Sequence, residues 1–296
     1  MAELTTFFEK EVASNWEMNA QQMDSRLGAA VTSDSFDGKR KQYNKLDTGS
    51  MTEVTERKGD TPDGDSTGTK YWIYRRKFEF VRVWDEHDEL NLGMVSLPNS
   101  DEVQSLVAAS NRTKDDVIID AFDGTRYIGE NGTDADTFDT NFDVAVNYVA
   151  SGTPANSGLT VAKILQAKKL LDEAEVEDSE RFFAVGSQQL QDMLLRTEIT
   201  SADYVDVKAL VEGRVERFCG FTFIRTERLP INTGTDVRTC FAWHRSGIKF
   251  AEVGREVHID QLPQRRHATQ LRGVYLCGAV RTENTKVVRI YNDESP

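Results

Sequence analysis

Four histidines, three cysteines and two aspartate-rich runs are the residues of this 296-residue chain whose types could do chemistry. His87, His244, His258 and His267 lack the HExxH spacing that puts two imidazoles and a general base on one helix face. They also lack the Cys/His pairing that would hold zinc. A lone histidine in or beside a strand reads as a packed or exposed structural residue. Cys219, Cys240 and Cys277 are widely spaced and unpatterned, and read as reduced, buried small hydrophobes. The acidic runs at residues 60–65 and 134–143 invite a calcium reading. In the second, Asp134 and Asp136 fit the loop, but Phe138 and Asp139 stand where Asp or Asn and then Gly are needed. No GxxxxGK[ST] phosphate loop and no GxSxG nucleophile elbow occurs. The expectation is a protein with no catalytic residue, no cofactor and no bound metal.

Arg75-Arg76-Lys77 and Arg265-Arg266-His267 are short basic clusters without the interleaved aromatics of a single-strand platform. They read as ion-pair partners for acidic surface on the same or a neighbouring chain. The net charge is −13, and residues 81–158, with 15 Asp+Glu against 4 Lys+Arg, supply −11 of it. Such a segment does not grip a phosphate backbone, which needs clustered Lys and Arg. The length allows one large or two ordinary domains. No apolar run approaches the ~18–20 residues of a membrane span. The first ten residues, MAELTTFFEK, lack a basic, apolar leader. Neither a membrane nor secretion is expected.

The elements read as α+β, with helices and strands interleaved irregularly rather than as βαβ units. Residues 3–29 carry Leu4, Phe7, Phe8, Val12, Trp16 and Met23 on one stripe, which predicts an amphipathic helix. Residues 39–83 read as a long two-stranded excursion. Its first strand is marked by the alternation at 52–56, its tip is Gly- and Asp-rich at 59–68, and β-prone runs return through Tyr71, Ile73 and 78–83. A hairpin of this length is poorly stable alone and needs a partner. Residues 99–123 predict a helix of roughly 36 Å, with Asn99 and Glu102 as a capping box and Gly124 just past its end. Its apolar face is Val103, Leu106, Val107, Ser110, Val117, Ile118, Ala121 and Phe122. Residues 142–149 predict a strand. Val161, Ile164, Leu165, Lys168 and Leu171 predict a further helix. The run at 181–186 predicts a strand, and Ser187 an N-cap for a short helix carrying Leu190, Met193 and Leu194. Residues 218–224 predict a strand bent at Gly220. Strands are also expected at 237–243, 248–253, 273–279 and 286–291.

Residues 159–230 are well specified yet chemically silent, which points to assembly rather than catalysis. This stretch resembles the axial domain of tailed-bacteriophage major capsid proteins with the Hong Kong 97-like fold. The resemblance is carried by the helix LTVAKILQAKKLLDEA, by Ser187-Gln188-Gln189-Leu190, by Thr200-Ser201-Ala202-Asp203-Tyr204, and by Gly220-Phe221-Thr222-Phe223-Ile224 before Arg228-Leu229-Pro230. Upstream, Val83-Trp84-Asp85-Glu86-His87-Asp88-Glu89-Leu90, Pro98-Asn99-Ser100 and the run 115–121 before Gly124 resemble the passage from extended loop to spine helix. Gly278-Ala279-Val280-Arg281 and Val287-Val288-Arg289-Ile290 resemble the closing strands.

The resemblance implies an N-terminal arm at 1–38, an extended loop at 39–83 and a peripheral domain at 84–158 with its spine helix at 99–123. An axial domain at 159–250 and its end with a return to the peripheral domain at 251–296 follow. It implies hexamers and pentamers of one subunit around double-stranded DNA, without sequence-specific binding, in a virion capsid assembled in the host bacterial cytoplasm. The short N-terminal extension implies a separate scaffolding protein. A portal protein is expected, and a decoration protein is compatible. The candidate assembly residues are Phe7, Phe8 and Trp16 of the arm, with Lys58, Asp60, Asp63, Asp65, Arg75, Arg76 and Lys77 of the loop. Two rivals stay open: an encapsulin-like nanocompartment shell that holds a cargo protein, and an α+β enzyme of unknown type. A converging set of titratable residues would favour the enzyme, and none is visible.

Overall fold

The computed structural model describes residues 21–35, 37–51, 53, 55, 67–85, 100–195 and 217–295. In chain order the strands and helices are β1 (Thr32–Ser35), β2 (Arg40–Leu46), β3 (Gly68–Tyr74), β4 (Arg76–Trp84), α1 (Ser100–Asp123), β5 (Arg126–Ile128), β6 (Asp134–Asp136) and β7 (Asp143–Val144). Then come α2 (Val161–Glu173), β8 (Arg181–Val185), α3 (Ser187–Leu194), β9 (Arg217–Phe218), β10 (Phe221–Arg225), β11 (Ile231–Asn232), β12 (Val237–His244), β13 (Ile248–Leu262), β14 (Ala268–Arg281) and β15 (Val287–Asp293). They form three sheets: β1-β13-β14-β4, β2-β3-β5-β6, and a seven-stranded sheet ordered β7-β15-β12-β8-β10-β9 with β11 on β12.

The main core lies where α1 and α2 meet the seven-stranded sheet. Phe122 near the end of α1 stacks on Phe241 at 4.7 Å and lies 4.6 Å from Trp243, all three fully buried. Phe183 of β8 stacks on Phe223 at 5.2 Å and meets Phe221 edge-on at 5.6 Å. Each such ring contributes on the order of 2–3 kcal/mol by leaving water. The first half of α1 lies on the other sheet. A Cβ on Gly273 would sit 2.4 Å from Leu106 Cδ1, so helix and strand β14 approach as closely as only glycine permits. Because α1 is packed on two sides in succession, its buried set includes Leu106, Ala108, Val117, Ile118, Ile119 and Phe122, while Val107 is exposed. The last turn of α1 carries acids and no base. Arg281 of β14 supplies the cation, donating from Nη1 to the carbonyls of Phe122 at 2.8 Å and Gly124 at 2.9 Å. Burial, and repulsion from Arg126, hold the Arg281 guanidinium down to about 10, still a cation at neutral pH.

Several local expectations are corrected. Residues 21–27 are not helical; only Gly28–Ala30 form a single 3-10 turn. Side chains of α1 bond this backbone and so take the place of its own helix. The hairpin's first strand is Arg40–Leu46; of the run 52–56 expected to mark it, residues 53 and 55 are not strand, and residues 52, 54 and 56 lie outside the described residues. Phe78–Val83 is strand, but β4 pairs with β14 rather than returning along the hairpin, which is made by β2 and β3. The break falls at Arg75 alone. The strand expected at 142–149 shrinks to Asp143–Val144. The chain then turns, with Tyr148 N–H donating to Ala145 O at 3.1 Å and its hydroxyl bonding Gln166 of α2 at 3.0 Å. On α2 the buried residues are Lys163, Ile164, Ala167 and Leu171, with Leu165 exposed. The N-cap of α3 is Gly186, not Ser187. Gln189 takes the Gly186 N–H at 3.1 Å, and the Ser187 N–H donates to Glu227 at 2.6 Å, so an acid from another loop serves the positive helix end.

Gly220 marks a hairpin rather than a bend in one strand. Cys219 and Gly220, at φ 52° and 86°, form the two-residue turn between β9 and β10. Gly254 works the other way. The strand expected to stop at 253 bulges between Glu252 and Gly254, at φ 133°, and continues to Leu262 along β14. The capping box at Asn99 and the segments 86–99 and 196–216 lie outside the described residues.

Candidate assembly interface

Of the residues singled out from the sequence, Phe7, Phe8, Trp16, Lys58, Asp60, Asp63 and Asp65 lie outside the described residues. Arg75, Arg76 and Lys77 fall where β3 gives way to β4. Arg75 is exposed, and its N–H donates to Lys39 O at 3.0 Å. Arg76 pairs with Asp120 of α1 at 2.8 Å and lies 5.2 Å over the Phe78 ring. Lys77 pairs with Glu79, which also meets Arg272 at 2.7 Å. Those two cations hold the Glu79 carboxyl down to about 2. The cluster is therefore not one patch, since two of its three charges are committed within the chain.

The stem of the loop is held by its own subunit as far as Leu46 and Gly68. β3 pairs with β5, so the hairpin is part of a four-stranded sheet. Tyr43 and Tyr71 stack at 5.4 Å, and Lys249 Nζ from β13 sits 3.9 Å over the Tyr43 ring. The Tyr43 hydroxyl donates to Asp34 at 2.6 Å, and Lys41 Nζ does so at 3.0 Å. These two donors hold the Asp34 carboxyl down to about 2. Desolvation, then the Asp34 hydrogen bond, pushes the Tyr43 phenol up. Lys45 reaches Glu283 at 3.1 Å.

The chemistry-bearing side chains are used structurally. Asp136 pairs with Arg126, Asp143 with Arg289 at 2.8 Å, and Asp139 accepts from Asn141 N–H at 3.0 Å, so these three acids are engaged within the chain. Burial pushes the Cys240 and Cys277 thiols up to about 12, well away from a reactive thiolate. Burial lowers the His244 imidazole. Among the described residues no group of three His, Cys, Asp or Glu could hold a metal, and no helix is long and apolar enough to cross a membrane.

What the sequence reading missed is the reach of the β13–β14 hairpin. β1 covers β13 only along Lys249–Glu252. From Gly254 to Leu262 the outer edge of β13 has no strand beside it among the described residues. Val257 is 44% exposed and Ile259 56%, while Val81 and Val83 of β4 are exposed on the same sheet. A free edge with apolar side chains is a template for another chain. The available signal was Val257 and Ile259 alternating with His258 and Asp260 beyond the glycine.

A family model for phage capsid proteins matches residues 4–294. The chain belongs to that family. Solved capsid structures superpose over almost their full length at low identity. Against Mycobacterium phage Che8 the TM-score is 0.68 at 15% identity, covering 96% of this chain and 97% of that one. Against the capsid of cyanophage P-SCSP1u it is 0.70 at 12%, covering 100% and 96%. Against the capsid of a native GTA particle it is 0.70 at 12%, covering 99% and 97%. A comparison with curated protein sequences found no match. The fold is the Hong Kong 97-like capsid fold, and the protein is a major capsid protein. Its role is structural and non-enzymatic: copies associate into the phage shell, and its place is the virion capsid.

Proposed function

We propose that this capsid protein closes into hexamers and pentamers that tile an icosahedral shell around double-stranded DNA. Head-to-tail contacts that close by rotation generate such rings from one subunit. The family match along residues 4–294 carries this reading. In it, residues 1–38 are the arm, 39–83 the extended loop, 84–158 the peripheral domain with α1 as its spine, 159–250 the axial domain, and 251–296 its end and the return. Phe7, Phe8 and Trp16, with Lys58, Asp60, Asp63, Asp65 and Arg75, contact neighbouring copies. Arg76 and Lys77 act there by orienting the loop stem through Asp120 and Glu79. Assembly takes place in the host cytoplasm with a separate scaffolding protein and a portal protein, and an outer decoration protein is compatible with the shell. The acidic segment 81–158 suits a wall that does not hold DNA tightly.

Electron microscopy of the expressed chain, with and without co-expressed scaffold, tests this. Rings or closed shells are expected. A monodisperse monomer at high concentration with scaffold present sinks the proposal. Closed shells that hold a cargo protein and no nucleic acid replace it with the nanocompartment reading.

A further inference from the structure

Asp115 is the one buried carboxylate among the described residues, at 0% exposure in the middle of α1. A buried carboxylate is costly unless hydrogen bonds satisfy it. Among the described residues Asp115 makes no ion pair. Its oxygens accept instead from Gln22 Nε2, from Ser25 Oγ at 2.6 Å, and from the backbone N–H groups of Arg26 at 3.0 Å and Leu27 at 3.2 Å. Every one of those partners lies within residues 22–27. The turn of helix before it works on the same segment. Asn111 donates to Met23 O at 2.7 Å, and Arg112 Nη1 donates to Gln21 Oε1 at 2.7 Å and Gln22 O at 3.3 Å. Further on, Leu27, Ala30 and Val31 are buried, and Trp243 Nε1 donates to Ala30 O at 2.9 Å. Apolar burial thus holds residues 27–31, whereas residues 21–26 are held by a polar clasp. A clasp of directed bonds sets direction where a greasy contact sets only proximity.

We propose that Asp115 is a positioning residue for shell assembly. Its carboxylate fixes where the chain leaves α1, and so the direction in which residues 1–20 reach a neighbouring copy, with the pivot at Gln21–Gln22 rather than near residue 38. This rests on the arm reading under the proposed function. In a closed shell every arm must leave its subunit at a set angle for the same contact to recur. An acceptor-only group suits the task, because all four partners are donors. Asn has the same shape but turns an NH2 toward donors.

The test is D115N in the full chain, with Q22A/S25A as a second variant that keeps the carboxylate and removes two of its four donors. Trypsin added to native unassembled subunits is followed by the new N-terminus at Leu27, beside the melting temperature and the size and yield of shells. D115N is expected to be cut after Arg26 about tenfold faster, since local opening and not global unfolding controls that bond. Its melting temperature should stay near that of the parent, and its shells should be fewer or misshapen. Q22A/S25A should move the same way by less, and decides the matter if D115N does not fold. Parent-like cleavage in both variants overturns the proposal, as do parent-like shells from a subunit that is cut faster. Deletion of residues 1–20 separates the two readings. If that deletion blocks assembly while D115N assembles normally, the arm reading stands and the positioning role falls. If it assembles normally, both fall.

Discussion

Strands β12 and β13 follow one another in the chain and lead opposite lives. β12 has β15 on one side and β8 on the other, and Cys240, Phe241, Ala242 and Trp243 are fully buried. β13 begins the same way, with Phe250 and Ala251 buried between β1 and β14. Past the bulge at Gly254 it keeps β14 and, among the described residues, has no strand on its outer edge. Both strands carry apolar residues, so hydrophobicity does not separate them. Neighbours do. The buried core of the subunit lies around β12, and the far part of β13 leaves Val257 and Ile259 exposed.

Trp243→Ala should do the most damage to the subunit. Removing a buried ring that packs on Phe122 costs ~3–5 kcal/mol, visible as a large fall in melting temperature. A fall under 1 kcal/mol would break the contrast with β13. Deleting residues 1–30 comes next, because it removes Leu27 and Ala30 from the core; about 2–4 kcal/mol is expected. Deleting 1–20 spares those residues and should leave the melt of unassembled protein unchanged by circular dichroism. V257K and I259K should cost the subunit no more than ~0.5 kcal/mol, as exposed substitutions do. Particle yield by sedimentation should nonetheless drop. Parent-like shells from both would remove the free edge of β13 from the assembly surface. The smallest effect concerns the loop stem. Asp34 is held down to about 2 in the folded protein, against roughly 3.9 for a free aspartate. Its contribution is fully present above pH 4 and is lost as pH falls toward 2. Hydrogen exchange of β2 should quicken over that window before that of β12 does, and a simultaneous change would show that the stem has no separate stability.

The legible parts were those whose bonding is local. The helices at 100–123 and 161–173 satisfy their backbone within four residues, so spacing and caps reveal them. The short strand at 181–185 carries the continuous apolar run Phe182–Val185 between β10 and β12. Residues 21–27 misled because Met23 continues the spacing of the stripe upstream while the hydrogen-bond partners of this backbone are on α1, some 90 residues away. Ser187 looked like a cap for the same reason: Glu227, which serves that helix end, is 40 residues on.

The sequence by itself determined the α+β class, the family through an ordered set of weak resemblances, and the absence of the spacings that metal, phosphate or nucleophile chemistry demands. It placed neither the open edge of β13 nor the hydrogen bonds that gather residues 22–27 around Asp115. Gly254 reads identically as the end of a strand or as a bulge within one, and only the continued pairing of Arg255–Leu262 with β14 decides. An aspartate amid a helix reads as solvated until the chain that covers it is in place. Both depend on which backbone groups meet across long separations, and the tertiary structure alone brings those groups together.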